Sequence, residues 1–144
     1  MIHGISHITL LVKDLNKASS LFRFVFDAEE IYSSDGKNFS LSDEKFFLIG
    51  GIWVALMEGE ATARSYQHIA FQVSEDDIPI YRSRIEELGL DILPGRSRHK
   101  QEGRSLYFYD YDNHLFELIS GSLEERLAFY RQHANEHYDK NTKS

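Results

Sequence analysis

The sequence predicts an α+β fold made of two copies of one βαβββ module, and three observations carry that prediction. First, Gln67 to Val73 (Q-H-I-A-F-Q-V) repeats Ser6 to Val12 (S-H-I-T-L-L-V) at an offset of 61 residues, pairing His7 with His68, Ile8 with Ile69 and Val12 with Val73. Second, the register survives the helix that follows each of these strands, so that Glu30-Ile31 realigns with Asp91-Ile92. A repeat that holds from strand periodicity through helix periodicity marks a duplicated structural unit rather than similar composition. Third, each copy closes on two strands joined by a turn, Gly50-Gly51 in the first and the polar run between Tyr109 and His114 in the second.

The elements follow in order. Ser6 to Val12 alternates as a strand does, and Asp14 can cap a helix whose apolar positions Leu15, Ala18, Leu21, Phe22 and Val25 have helical spacing. Glu30 to Ser33 is a short strand, Asp35-Gly36 a turn, Phe39 to Ile49 strand-like, and Ile52 to Met57 the strand after the diglycine. In the second copy Ser74 and Asp77 form a capping pair, Pro79 is tolerated in the first helical turn, and Gly89 ends the helix. Ser105 to Tyr109 and His114 to Ser120 form the closing hairpin. Ser122 and Glu125 make a second capping box before an amphipathic helix from Leu123 to about Asn135, and Glu136 to Ser144 reads as a frayed polar end. One domain over residues 1–144 is expected, with modules at about 1–60 and 64–121, a linker at Glu58 to Ser65, and a C-terminal helix at about 122–135.

Composition narrows the function. The chain has 16 basic and 23 acidic side chains, a formal charge of −7, which disfavours a nucleic-acid partner. No apolar run approaches the ~20 residues of a membrane span and no signal-like segment precedes the first strand, so no membrane partner and a cytoplasmic location are expected. The absence of cysteine removes thiol nucleophiles, disulfides and thiolate metal sites.

Glu117 is the anomaly. It lies between Phe116 and Leu118 in an otherwise apolar strand, where an unpaired ionised carboxylate is heavily penalised. His7 and His68 occupy equivalent positions in the repeat and converge if the modules pack about a pseudo-two-fold axis. With Glu117 they form a set of two histidines and one carboxylate, which leaves positions open on a divalent first-row metal. Each histidine alone is more often structural, but their symmetric placement beside a buried carboxylate favours a metal. The same offset carries Glu117 back to Leu56, so the first module lacks a matching carboxylate, and Glu58 is the rival candidate. Tyr107 and Tyr109 share a face with Ser105, and core packing is the expected role of Tyr109. Arg96, Arg98, Lys100 and Arg104 form a local basic cluster that suits either an anionic ligand or a solvated charged loop. Arg126, near a helix start, opposes the helix dipole and hints at a charge partner. Glu44 precedes an apolar run as a solvent-facing residue does, and Trp53, within I-W-V-A-L, is by default core.

With these residues assembled, the chain resembles the vicinal oxygen chelate superfamily, and within it the bacterial fosfomycin resistance proteins of the FosX, epoxide-hydrolase type. The carriers are S-H-I-T-L at the start, A-E-E-I-Y-S-S at 28–34, E-K-F-F-L-I-G-G-I-W at 44–53, Y-Q-H-I-A-F at 66–71, E-G-R-S-L-Y-F-Y-D-Y-D-N-H-L-F-E-L at 102–118 and L-E-E-R-L at 123–127. The resemblance extends from about Met1 to Arg131, nearly the whole chain. The resemblance implies a homodimer with modules paired across chains, His7 coming from one subunit and His68 with Glu117 from the other. It implies Mn(II), with Fe(II) as the alternative, and fosfomycin as the substrate, hydrolysed at its epoxide to a diol. It also implies that Thr9, Ser105, Tyr107 and Arg126 hold the phosphonate, that Tyr66 lines the pocket, and that Glu44 is the general base. Glutathione-using relatives carry a phosphonate-binding lysine where this chain has Ser97. Arg96 or Arg98 stands in for it, and Arg98 is taken as the substrate-binding residue. Those relatives also have an acidic potassium-loop residue where this chain has Arg104, which favours hydrolysis over potassium-activated thiol transfer. Thiol transfer to fosfomycin, a non-catalytic drug-binding role and another metal-dependent reaction are the alternatives.

Overall fold

Alternation of apolar and polar side chains gives every strand one face for a core and one to spare, and the fold uses both. The computed structural model describes residues 1–37, 39–94 and 104–142. Their order is β1 (His7–Val12), α1 (Leu15–Phe26), β2 (Glu29–Ser33), β3 (Glu44–Ile49), β4 (Ile52–Glu58), β5 (His68–Gln72), a 3-10 turn (Glu75–Asp77), α2 (Ile78–Glu87), β6 (Ser105–Tyr109), β7 (Leu115–Ile119) and α3 (Leu123–Thr142). This is a mixed α+β architecture with two sheets, ordered β1-β4-β3-β2 and β5-β7-β6. In each, the first strand runs parallel to the last strand of its module and that last strand is antiparallel to the one before it. The duplicated order read from the sequence is therefore present as duplicated topology.

Local chemistry explains the boundaries. The Asp14 carboxylate accepts the Lys17 N–H at 3.0 Å and starts α1. Asp27 ends it in the left-handed region at φ 53°. Gly50 and Gly51, both at positive φ, make the β3–β4 turn, and Gly89 at φ +66° follows α2. The Ser122 hydroxyl accepts the Glu125 N–H at 3.1 Å, as the capping box predicts.

Four expectations need correction. Phe39 to Ser42 is not strand: β3 begins only at Glu44, and Phe39 and Leu41 are exposed, with no apolar face to cover them. Ser74 makes no side-chain cap, because a 3-10 turn intervenes before α2. The second-module counterpart of β2 shrinks to a single bridge between Ile92 and Phe108, since Pro94 cannot donate to a ladder. Finally, α3 continues past Asn135 to Thr142 through residues that include an i,i+3 pair of His133 with Glu136 at 4.0 Å.

The core lies where the two modules meet the helices. Phe22 and Phe26 of α1 reach both sheets: Phe22 contacts Phe47 and Phe116 edge-on at 5.7 and 6.0 Å, and Phe26 contacts Phe71, Phe108 and Phe116 at 5.3, 5.9 and 5.2 Å. Val12, Val54, Leu56, Leu106 and Leu118 complete the same cluster. One helix thus fixes the position of both sheets. Phe22→Ala should lower the unfolding free energy by about 3–5 kcal/mol, the usual cost of emptying a fully buried aromatic site. Urea denaturation followed by circular dichroism measures it.

Candidate functional site

Packing one face of each sheet on α1 leaves the opposite faces for chemistry. On the first sheet, register puts His7 beside Trp53, Thr9 beside Ala55 and Leu11 beside Met57, while Glu44 and Phe46 lie across from Met57 and Ala55. His7, Thr9 and Glu44 therefore share one face. On the second sheet, Ala70 and Tyr107 flank Glu117, His68 aligns with Leu115, and Ser105 with Ile119. His68, Ser105, Tyr107 and Glu117 share the other face.

The predicted anomaly is real and is compensated. Glu117 is only 3% exposed. Its Oε2 accepts the Ser105 hydroxyl at 2.5 Å, and its Oε1 lies 3.2 Å from His68 Nε2. His68 Nδ1 is 2.7 Å from the Tyr66 carbonyl, which can only accept, so Nδ1 carries a proton. In the neutral ring Nε2 is then an acceptor, and it faces a carboxylate oxygen. Two acceptors at that distance require a cation or a further proton between them. This donor set, an imidazole oriented by a backbone carbonyl beside a carboxylate, fits a divalent metal.

Tyrosines wall this pair. Tyr66 and Tyr107 rings lie 5.0 and 5.4 Å from the His68 ring, and their hydroxyls are 3.5 Å apart. Burial, then hydrogen bonding with Tyr66 and Glu117, pushes the Tyr107 phenol well above its ordinary range. Tyr107 therefore stays protonated as a donor at neutral pH. Tyr109 is buried, with its hydroxyl on the Ser65 carbonyl at 3.3 Å and the Arg64 guanidinium 4.2 Å over its ring, which is the expected packing role.

Within the chain, Tyr66, His68, Ser105, Tyr107 and Glu117 come together. His7 and Glu44 do not join them, and among the described residues no three metal-binding side chains converge. Thr9 and His68 line a groove of about 390 Å³ between β1 and β5. Arg126 is half-buried in the first turn of α3. Arg96, Arg98 and Lys100 lie outside the described residues. Arg104 is held by Glu75 at 3.0 Å, so its charge is already matched.

Two readings of the first module change. The structural counterpart of Glu117 is Ala55, not Leu56: His7 aligns with Trp53 but His68 with Leu115, so the repeat has slipped by one residue at the last strand. Leu56 is fully buried in the core. Glu58, in phase with Leu56, is turned away from His7 and lines a polar cleft with Lys13, Asp14 and Lys45, so it is no rival ligand. Trp53, taken as core, is instead on the open face, its ring 4.2 Å from that of His7 and 5.0 Å from that of Phe46. Its buried Nε1 has no hydrogen-bond partner among the described residues. Strand phase relative to Val54 was the available signal, but only the pairing register puts it beside His7.

A family model, the Glyoxalase/Bleomycin resistance protein/Dioxygenase superfamily, matches residues 4–118. The chain is 60% identical over 133 residues to the fosfomycin resistance protein FosX of Listeria innocua, covering 92% of this chain and 100% of that one. It is 38% identical over 140 residues to the metallothiol transferase FosB of Shouchella clausii, covering 93% and 91%. A solved structure of a FosX variant from Listeria monocytogenes, complexed with Mn(II) and 1S,2S-dihydroxypropylphosphonic acid, is similar with a TM-score of 0.83 and 53% identity, over 90% of this chain and 99% of that one.

Because the single tryptophan lies against the His7 ring, it reports on that histidine. Titration with a divalent cation should change Trp53 emission in the parent protein. The change should vanish in His7→Ala, and an undiminished response in that variant would remove His7 from the site.

Proposed function

The chain belongs to the glyoxalase/bleomycin resistance protein/dioxygenase superfamily, and on that premise we propose that it is a Mn(II)-dependent epoxide hydrolase that converts fosfomycin to its diol and so gives resistance. The observation that carries this is the His68–Glu117 pair, two acceptors set for a cation, in a chain 60% identical to a fosfomycin resistance protein. The diol phosphonate named in the similar Mn(II) complex is what water addition to the drug would yield.

His68 and Glu117, with His7 of the partner subunit, would hold the metal, which would supply Lewis-acid chemistry toward the epoxide oxygen. Thr9, Ser105, Tyr107, Arg126 and Arg98 orient the phosphonate, with Tyr107 donating because its phenol stays protonated. Tyr66 closes the wall beside His68. Glu44 takes a proton from the water that attacks the epoxide carbon.

A module-swapped homodimer is part of the reading. It is supported by the failure of His7 and Glu44 to converge with His68 and Glu117 within one chain, among the described residues. The chain is read as one domain in the cytoplasm, without nucleic-acid or membrane partners. The formal charge of −7 disfavours a nucleic-acid partner, and no described helix is long and apolar enough to cross a membrane. Thiol transfer is the second reading, favoured by likeness to FosB at 38% identity.

Product analysis by mass spectrometry after incubation with Mn(II) and fosfomycin, without thiol, decides between them: a diol is expected, and an adduct formed only when thiol is added would reverse the assignment. Glu44→Gln should keep metal binding and lose diol formation by about 10²–10⁴-fold. Mixing unfolded His7→Ala and Glu117→Gln chains and refolding them should restore roughly a quarter of parental activity, because one site of each mixed dimer is then complete. Two inactive homodimers giving an inactive mixture would rule out sharing across subunits.

A further inference from the structure

Glu117, which also shares a hydrogen bond with Tyr107, turns its two oxygens to different groups. Oε2 takes the Ser105 hydroxyl at 2.5 Å, while Oε1 faces His68 Nε2 at 3.2 Å. The terminal torsion of a glutamate is broad and nearly two-fold, so a carboxylate without such a partner rotates freely or turns both oxygens to one cation. A short hydroxyl-to-carboxylate bond is charge-assisted and strong enough to select one orientation. The backbone that carries the hydroxyl is itself fixed. Arg104, just before it, donates its N–H to the Ser120 hydroxyl and accepts the Ser120 N–H, at 2.8 and 3.0 Å, tying the start of β6 to the end of β7. Ser105 then aligns with Ile119, and its side chain reaches diagonally to Glu117, which is paired directly with Tyr107.

We propose that Ser105 is a positioning residue for the metal site: its hydroxyl holds Oε2 of Glu117 so that Oε1 alone is presented beside His68 Nε2. This role is distinct from contact with the phosphonate and operates before any substrate arrives. It keeps the carboxylate a one-oxygen ligand and preserves the open positions that catalytic metal sites need. It rests on the metal site proposed above, through residues of this chain only.

The test is Mn(II) binding without substrate, read as free Mn(II) by electron paramagnetic resonance. Ser105→Ala should weaken Mn(II) affinity about 10-fold to 100-fold, the range for losing a partner of a metal ligand. Ser105→Thr keeps a hydroxyl on a strand-compatible side chain and should restore affinity to near the parental value. Parental affinity in Ser105→Ala overturns the proposal, and so does an equal loss in both variants, since the defect would not then follow the hydroxyl. Thermal unfolding of each variant confirms that it is folded. His68→Ala and Glu117→Gln serve as the reference: if these two also retain parental affinity, it is the metal site that is wrong. If they lose affinity while Ser105→Ala does not, only the role of Ser105 falls.

Discussion

The gap of 3.2 Å between His68 Nε2 and Glu117 Oε1 is the constraint on which the rest of the site depends. Removing a carboxylate from water costs several kcal/mol unless it is paired, and here the hydroxyl of Ser105 satisfies one oxygen while the other is directed at an imidazole. The N–H at Nδ1 of that imidazole already donates to the Tyr66 carbonyl. What remains is a pair of lone pairs pointing at each other in a half-enclosed wall of tyrosines. A cation or a further proton reconciles them, and the strand pairing β5-β7-β6 holds both groups in place.

That rigidity originates on the far side of the sheets. Phe71, Phe108 and Phe116 share their strands with the site residues, in opposite phase, and all three pack on Phe26. The buried face thus secures the position of the open face without contributing to the chemistry. The same division holds in the first sheet, where Phe47 and Val54 are in the core while Phe46 and Trp53 surround His7. The polar turn after β6 ties the modules further: Asp112 accepts the Lys13 N–H at 2.9 Å, and Asn113 donates to the Thr62 carbonyl at 2.9 Å. These bonds anchor the second-module hairpin to the start of α1 and to the linker.

Features set by local rules were legible in the sequence. The duplicated module, the Asp14 and Ser122 caps, the diglycine turn and the paired histidines all depend on spacing or on one residue type. Features set by pairing were not. A one-residue slip between modules moves the counterpart of Glu117 from Leu56 to Ala55, and side-chain alternation then turns Glu58 to the opposite face. Trp53 looked like core because aliphatics flank it, and its phase opposite Val54 identifies a face only once the strand is paired. The reach of α3 was missed because its last residues are polar, which argued for fraying. The dual partners of Glu117 depend on the diagonal approach of Ser105 across a strand pair, which no linear pattern encodes.

The slip at Ala55 also bears on why the two modules are unequal in function. Had duplication kept a carboxylate there, it would stand beside Thr9 on the face that carries His7, and two modules facing each other would offer two histidines and two carboxylates. A set of four protein ligands leaves fewer positions for water and substrate than a set of three. Ala55 is 3% exposed and contributes only a methyl group, tucked between Thr9 and Phe46. The first module thereby offers no carboxylate here but a hydroxyl, that of Thr9, on the neighbouring strand at the same level. Symmetry of fold places His7 and His68 at equivalent positions of β1 and β5, and at this one position of the last strand the symmetry is lost.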